Sequence, residues 1–279
     1  MTTQITTDIE AQKKQFFDEG YVILDRVIPE EHLAMLREAC SYFISEKDKG
    51  MAQRGVEREG LTHKGSRYFI ANQYRKHARL HEFIFGEVMA ELTRALLGPE
   101  VYLFNEQWVV KGAEVGMSFS WHQDSGYVHH DDPNAGHKPY LTCWCALDDV
   151  DERNGTVYIL PHSKAGTHNT IIPHKHDPDT NDLIGYTGGE PGIPMIVRAG
   201  SIVAFSSYAF HRSGANNTDK MRRIYLAQYS AEEIRRKAGN LWAQAVPFLK
   251  DGENVYDHEY DITHAEEYAN PKVISPLTE

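Results

Sequence analysis

The sequence predicts a mainly β fold with flanking helices, its strands forming a closed or double-sheet antiparallel core. Three observations carry this expectation. From about residue 100 the chain breaks into short apolar runs separated by Gly, Pro, Asn and Asp, the texture of strands joined by turns. Before that point apolar residues recur at helical spacing. The chain has 279 residues, 41% of them hydrophobic, enough for one substantial core at a size where barrels are routinely single domains. The expected organisation is one domain over 1–279, with a helical part at about 9–98, a strand core at about 100–230 and a C-terminal extension at 231–279.

Residues 1–7 are polar and expected to be disordered. Asp8 can cap a helix over about 9–18 that ends before Gly20, and Tyr21–Leu24 then reads as a short strand. Pro29-Glu30-Glu31 opens a second helix, since proline and acids both suit a first turn. Leu33, Leu36, Cys40 and Phe43 form its apolar stripe. Ile84, Val88, Leu92 and Leu96 predict a third helix over about 81–97, with Gly98 as its stop. Strands are expected at 101–111, 118–124, 140–148, 156–160, 168–172, 194–198, 201–206 and 223–230. The turn-rich segments 125–139 and 173–193 are long enough to act as lids that set substrate choice. Tyr127, His129 and His130 are candidates there by position, and Trp108, Trp121, Tyr127 and Tyr140 are expected near the mouth of a site.

Composition excludes several classes. A net charge of −11 argues against general nucleic-acid binding, which depends on basic surface. No stretch approaches the run of about 18 apolar residues that a membrane helix needs, and the N-terminus lacks a signal pattern, so a cytoplasmic protein without membrane contact is expected. Cys40, Cys143 and Cys145 form no zinc-type pairing and are expected to be reduced thiols. Basic residues concentrate in 47–79 and acids in the C-terminal part. This distribution fits solvated faces, and a basic segment folded over a site would favour an anionic substrate.

The chemistry concentrates in His122-Gln123-Asp124, His211 and Arg222. Residues i and i+2 of a strand face one way, so His122 and Asp124 are expected to point together. His211 follows the strand Ile202–Phe205 and can stand at a strand end or in the loop after it. Two imidazoles and a carboxylate on one face of a six-coordinate metal leave the other face open, which suits non-haem Fe(II) and O2 chemistry. Of Arg222 and Arg223 on the next strand, one must face inward. A buried guanidinium needs an anionic partner, either a protein acid or a bound carboxylate. A carboxylate that also chelates iron suggests 2-oxoglutarate.

Several ordered blocks make the chain resemble the phytanoyl-CoA dioxygenase family of Fe(II)- and 2-oxoglutarate-dependent oxygenases over most of residues 9–230. They are Phe17-Asp18-Glu19-Gly20-Tyr21-Val22-Ile23-Leu24, Trp121-His122-Gln123-Asp124, Ala146-Leu147-Asp148-Asp149-Val150 with Asn154-Gly155, Leu160-Pro161-His162-Ser163-Lys164, and His211-Arg212-Ser213-Gly214-Ala215-Asn216. The resemblance implies a double-stranded β-helix, or jelly-roll, core. It implies His122, Asp124 and His211 as iron ligands, and Arg222, with a hydroxyl from Ser213, on the distal carboxylate of 2-oxoglutarate. Trp144 and Gln107 match positions that contact the co-substrate in relatives, while from the residues alone Trp144 is equally a core aromatic and Gln107 a pocket wall or solvent-facing. Where the family often has Pro-Gly-Ser-His this chain has Pro161-His162-Ser163-Lys164, a change expected at the barrel rim. Asp124 occupies the position that is a small residue in halogenating relatives, which disfavours halogenation.

The activity so implied is hydroxylation of a C–H bond in a small organic substrate by a monomer or homodimer, with Fe(II), 2-oxoglutarate and O2. Desaturation, epoxidation, cyclisation or demethylation would use the same cofactors. A non-catalytic barrel holding zinc or nickel is the competitor from another class, because affinity alone does not select iron. Against it stands Arg222, for which a structural metal site has no need.

Overall fold

The computed structural model describes residues 9–270, so the expected disorder of 1–7 and the cap at Asp8 lie outside the described residues. Helix α1 (Ile9–Glu19) leads into β1 (Tyr21–Leu24), as the spacing predicts, and α2 (Glu30–Arg54) starts directly after Pro29. Three strands absent from the sequence reading follow: β2 (Arg58–Glu59), β3 (Thr62–His63) and β4 (Arg67–Ala71). The expected helix over 81–97 is broken into α3 (Leu80–Ile84) and α4 (Glu87–Leu97). The break falls at Gly86, whose N–H turns back to Phe83 O and where any Cβ would crowd the Glu82 carbonyl.

Then come β5 (Val101–Lys111), β6 (Phe119–His122), α5 (Asp124–Asp131), β7 (Leu141–Ala146), β8 (Val157–Leu160) and α6 (His162–Ala165). The ribbon β9 (Lys175–His176) and β10 (Leu183–Ile184) lies within the expected loop 173–193, and β11 (Ile193–Pro194) ends it. The chain continues through β12 (Ile202–Ser206), β13 (Phe210–Ser213) and β14 (Arg222–Ser230) to β15 (Val246–Lys250), β16 (Glu253–Asn254), α7 (His258–Thr263) and α8 (Ala265–Tyr268).

Two facing antiparallel sheets form the jelly roll. The larger runs β1-β12-β7-β14-β5-β4-β3-β2, with β15 also joined to β5, and the smaller runs β11-β8-β13-β6. Between them pack Trp144, Val157, Ile159, Val203, Phe205, Ile224 and Leu226. The other face of the large sheet is covered by the helices, and Cys143, Cys145, Trp108, Tyr225 and Tyr229 bury there against residues such as Leu36, Phe43 and Phe83. Strands β7 and β14 are therefore buried on both faces, which explains the continuous apolar runs Cys143–Ala146 and Ile224–Ala227 within them. All three cysteines are free and buried, and burial pushes the Cys40 thiol up to about 12.

Segment 168–172 is not the expected strand, and 194–198 contributes only Ile193–Pro194 and a Val150–Val197 bridge. His162, at the departure from the family pattern, is buried over Gly20 with its Nδ1 3.0 Å from Thr167 Oγ1. Gly20 has φ +84° and a Cβ there would lie 2.6 Å from His162 Nε2, so this rim change fixes α1–β1 packing rather than cavity chemistry. Among the described residues no helix is long and apolar enough to cross a membrane.

Candidate metal centre

The smaller sheet brings the two histidines together by register. Strands β6 and β13 are antiparallel with His211 directly opposite His122, and the ring centroids are 4.0 Å apart. Alternation sends the neighbours outward: Trp121 and Arg212 lie on the other face, the guanidinium 5.2 Å from the indole centroid. Strand β6 stops at His122, two residues short of the expected end, yet Gln123 keeps an extended backbone (φ −103°, ψ 137°) before α5 begins at Asp124. The expected i, i+2 relation therefore survives the end of the strand. Asp124 Oδ1 lies 3.7 Å from His122 Nε2 and 3.5 Å from His211 Nε2, and one ligand atom from each of the three lies within 4.8 Å of the others.

The protonation pattern suits a cation. His122 Nδ1 is 2.8 Å from Ser120 O and His211 Nδ1 is 3.2 Å from Ala209 O. A carbonyl only accepts, so each Nδ1 carries a proton, and the neutral form of each ring presents its Nε2 lone pair to the centre. Burial, reinforced by His122, lowers the His211 pKa to about 4, so the ring is neutral at physiological pH. Burial alone would raise the Asp124 carboxyl, but His211, His122 and the Thr142 hydroxyl overcome it and hold the group down at about 2. Asp124 Oδ2 is occupied: Thr142 Oγ1 donates at 2.6 Å and Gln228 Nε2 at 2.9 Å, while Asn105 donates to Gln228 Oε1 at 2.9 Å. That leaves Oδ1 for a metal. Sequence reasoning missed Thr142 and Gln228, although strand alternation from Trp144 and Arg222 places both on the inward face.

Behind the triad the larger sheet supplies a row of cations, with Arg67 on β4, Lys111 on β5 and Arg222 on β14 in direct register. The choice left open by the sequence resolves cleanly. Arg223 turns toward α2 and is held by both oxygens of Asp148 at 2.6 and 3.0 Å. Arg222 turns inward, is 1% exposed, and among the described residues makes a single hydrogen-bond contact, at 3.4 Å to Val109 O, with Nε unpartnered. Burial lowers its pKa to about 9, only partly offset by Asp148. Its guanidinium lies 5.6 Å from the Trp144 ring centroid.

One cavity of about 560 Å³, counting its open mouth, is lined by His122, Asp124, His211, Arg222, Ser213, Trp144 and Gln107 together. The expected ligands and all four expected co-substrate contacts thus share one space. The remaining wall is mostly apolar, with Phe69, Val109, Phe119, Phe205 and Leu226. Of the aromatics expected at the mouth, only Tyr127 approaches the triad, edge-on to His122 with ring centroids 5.6 Å apart. Trp108 is buried on the opposite face against Phe43 and Tyr225, and Tyr140 packs on Phe104. His129 and His130 lie on α5 and do not line the cavity. The basic segment 47–79 sends one side chain, Arg67, to the cavity wall. Most of its other cations pair with acids, including Lys47 and Arg54 with Glu59 and Arg75 with Asp261.

Two imidazole nitrogens and one carboxylate oxygen converging from one side fit a divalent metal with open positions. The unpartnered Arg222 Nε in the same cavity fits an anion bound next to it.

The family model for phytanoyl-CoA dioxygenase (PhyH) matches residues 16–224, about three quarters of the chain. The L-proline trans-4-hydroxylase of Streptomyces griseoviridis is 32% identical over 170 residues, covering 51% of this chain and 62% of that protein, so the likeness spans less than two thirds of the relative. The methylphosphonate hydroxylase of Gimesia maris is 25% identical over 81% of this chain and 82% of its own. Among solved structures, EvdO2 from Micromonospora carbonacea var. aurantiaca superposes with a TM-score of 0.62 at 21% identity, over 79% of this chain and 89% of that one. The carbocyclase SnoK from nogalamycin biosynthesis superposes with a TM-score of 0.58 at 19% identity, over 97% and 93%. Both share the jelly-roll fold.

Proposed function

The chain belongs to the phytanoyl-CoA dioxygenase family of Fe(II)- and 2-oxoglutarate-dependent oxygenases, and from that premise we propose that it hydroxylates a C–H bond of a small organic substrate. The balanced reaction consumes substrate, 2-oxoglutarate and O2 and yields the alcohol, succinate and CO2. Iron with 2-oxoglutarate supplies the oxidising chemistry. The residues do the rest. His122, Asp124 and His211 hold the metal through Nε2, Oδ1 and Nε2. Arg222, with Ser213, binds the distal carboxylate of 2-oxoglutarate, and Trp144 and Gln107 complete that end of the cavity. Phe69, Phe119 and Phe205 exclude water and present apolar surface to the substrate.

The observation that carries the reading is the buried Arg222 guanidinium, its Nε unpartnered and with no acid at ion-pair distance among the described residues, in the cavity of the triad. A merely structural metal site would not bury an unpaired cation beside it, because desolvation makes that costly. The hydroxylase names of the proline and methylphosphonate relatives support hydroxylation over the other outcomes of the same cofactors. We also read 1–279 as one catalytic unit, a reading supported by β15, which extends the large sheet through β5.

The test is anaerobic titration with Fe(II) and then 2-oxoglutarate, followed by a metabolite panel assayed for succinate and product mass. A visible charge-transfer band and substrate-coupled succinate with a gain of one oxygen are expected. Metal binding without the band would point to a binding protein, and a product two hydrogens lighter would point to desaturation. Asp124→Ala is expected to lose substrate-coupled turnover, and retained turnover would contradict the ligand assignment.

A further inference from the structure

The junction between β6 and α5 is buried, and its backbone must find partners without water. Gln123, between the two ligands of this junction, has 0% exposure. Its side chain is fully engaged by backbone: Nε2 donates to Thr170 O at 2.8 Å and to Tyr208 O at 2.7 Å, and Oε1 accepts from Ile172 N at 2.7 Å. This is why 168–172 is not a strand, since its backbone groups wrap the Gln123 amide. The Gln123 backbone N–H has one partner, the Nε2 of His174, at 2.8 Å. His174 Nδ1 in turn lies 2.6 Å from Ile172 O, which fixes the proton on Nδ1 and leaves Nε2 as the acceptor. Gly126 of α5 and Gly185 approach the imidazole so closely that a Cβ on either would overlap the ring.

We propose that His174 is a positioning residue for the metal centre: its imidazole holds the Gln123 peptide extended, so that Asp124 turns toward His122 and His211 instead of continuing β6. The inference rests on the reading of the triad as a metal site. His174 lies in the loop that also brings Asp182 to Ser120 N at 3.0 Å, so one segment fixes both ends of β6. Outer groups that orient metal ligands typically change metal affinity by 10–100-fold when removed.

The test is anaerobic Co(II) titration of the full-length protein, read by the ligand-field spectrum and the Kd, alongside thermal unfolding of the metal-free form. His174→Leu keeps bulk but removes the acceptor, and His174→Gln restores one. The expected result is a Kd at least about tenfold weaker and an altered spectrum for His174→Leu, with His174→Gln within about threefold of wild type. Gly185→Ala, which displaces the ring from another segment, should weaken Co(II) in the same direction and stands in if His174→Leu does not fold. Unchanged Kd and spectrum in the leucine or Gly185→Ala variant would overturn the proposal. So would equal losses in the leucine and glutamine variants that follow their falls in metal-free stability. Wild-type protein that binds no Co(II), while remaining folded, would instead sink the metal reading itself and this inference with it.

Discussion

Arg67 and Arg222 flank Lys111 in one row of the large sheet, and each is only 1% exposed, yet their surroundings are opposite. Arg67 donates to Leu61 O, Ser118 O, Thr180 O and the Asp182 carboxylate, at 2.9 to 3.3 Å. Arg222 has one long contact and an orphaned Nε. Burial is the same, and satisfaction is not. The first arginine clamps the 177–182 loop against β4, whereas the second meets no acid side chain at ion-pair distance among the described residues. Lys111, between them, is tied by carbonyls: its Nζ donates to Met117 O and Gly214 O, linking the loops before β6 and after β13, while burial and the neighbouring arginines lower its pKa well below the ordinary lysine value. A buried charge thus marks a ligand site when its hydrogen bonds are missing, and a structural tie when they are complete.

The strongest way to break this contrast is Arg222→Met. Removing one member of a buried charge-assisted pair costs about 2–5 kcal/mol of binding, so the Kd for 2-oxoglutarate, titrated anaerobically with Fe(II), should weaken by roughly 30-fold to several thousand-fold. Stability of the metal-free protein should hold or rise, because an unpaired charge has been removed. A variant that loses stability and keeps 2-oxoglutarate would reverse the assignment.

Arg67→Met should behave in the opposite way. Asp182 is left buried without its cation, which costs about 3–5 kcal/mol in urea unfolding. Arg67→Met with Asp182→Leu should recover much of that loss, and the absence of recovery would show that the pair is not coupled.

A third measurement sharpens the rule with an acid. Glu106 is fully buried on the helix-covered side of β5, its Oε2 unpartnered, and burial raises its pKa from 4.5 to about 7 despite N–H donors at Gln73 and Tyr74. Unlike Arg222, it can be satisfied by a proton. The folded state holds that proton between about pH 4.5 and 7 while the unfolded chain does not, so stability falls as pH rises through this window. Glu106→Gln should therefore be more stable than wild type by about 1–3 kcal/mol at pH 8, with the difference vanishing near pH 4.5. An equal effect at both pH values would mean that the carboxyl does not titrate there.

The smallest effect is expected at Gln228. Gln228→Leu removes one of two donors to Asp124 Oδ2 and should weaken Co(II) or Fe(II) binding about tenfold. Thr142→Val should act similarly.

Much of this was legible in the chain itself. Periodicity gave β1, the start of α2 and the full span of β5, because those elements follow local rules of alternation and capping. Where tertiary partners override local pattern the reading failed: at Gly86, which breaks a helix through crowding, at 168–172, whose backbone is diverted to Gln123, and at β2 and β3, each two residues long and polar, whereas the apolar run Tyr68–Ala71 of β4 carries a strand signal that the reading missed. The ligand candidates were visible as residue types in an ordered motif, whereas their protonation was not, because it depends on the carbonyls of Ser120 and Ala209.

What the sequence by itself determined is the inventory: two imidazoles, a carboxylate and two adjacent arginines on alternating strands, one of which had to face inward. Only the tertiary structure decided which arginine that is and whether it has a partner. Asp148 captures Arg223 on the helix side and, among the described residues, no acid forms an ion pair with Arg222, and such pairing arises between residues dozens of positions apart in sequence. Local spacing fixes which way a side chain points, while the packing of distant strands fixes what it meets.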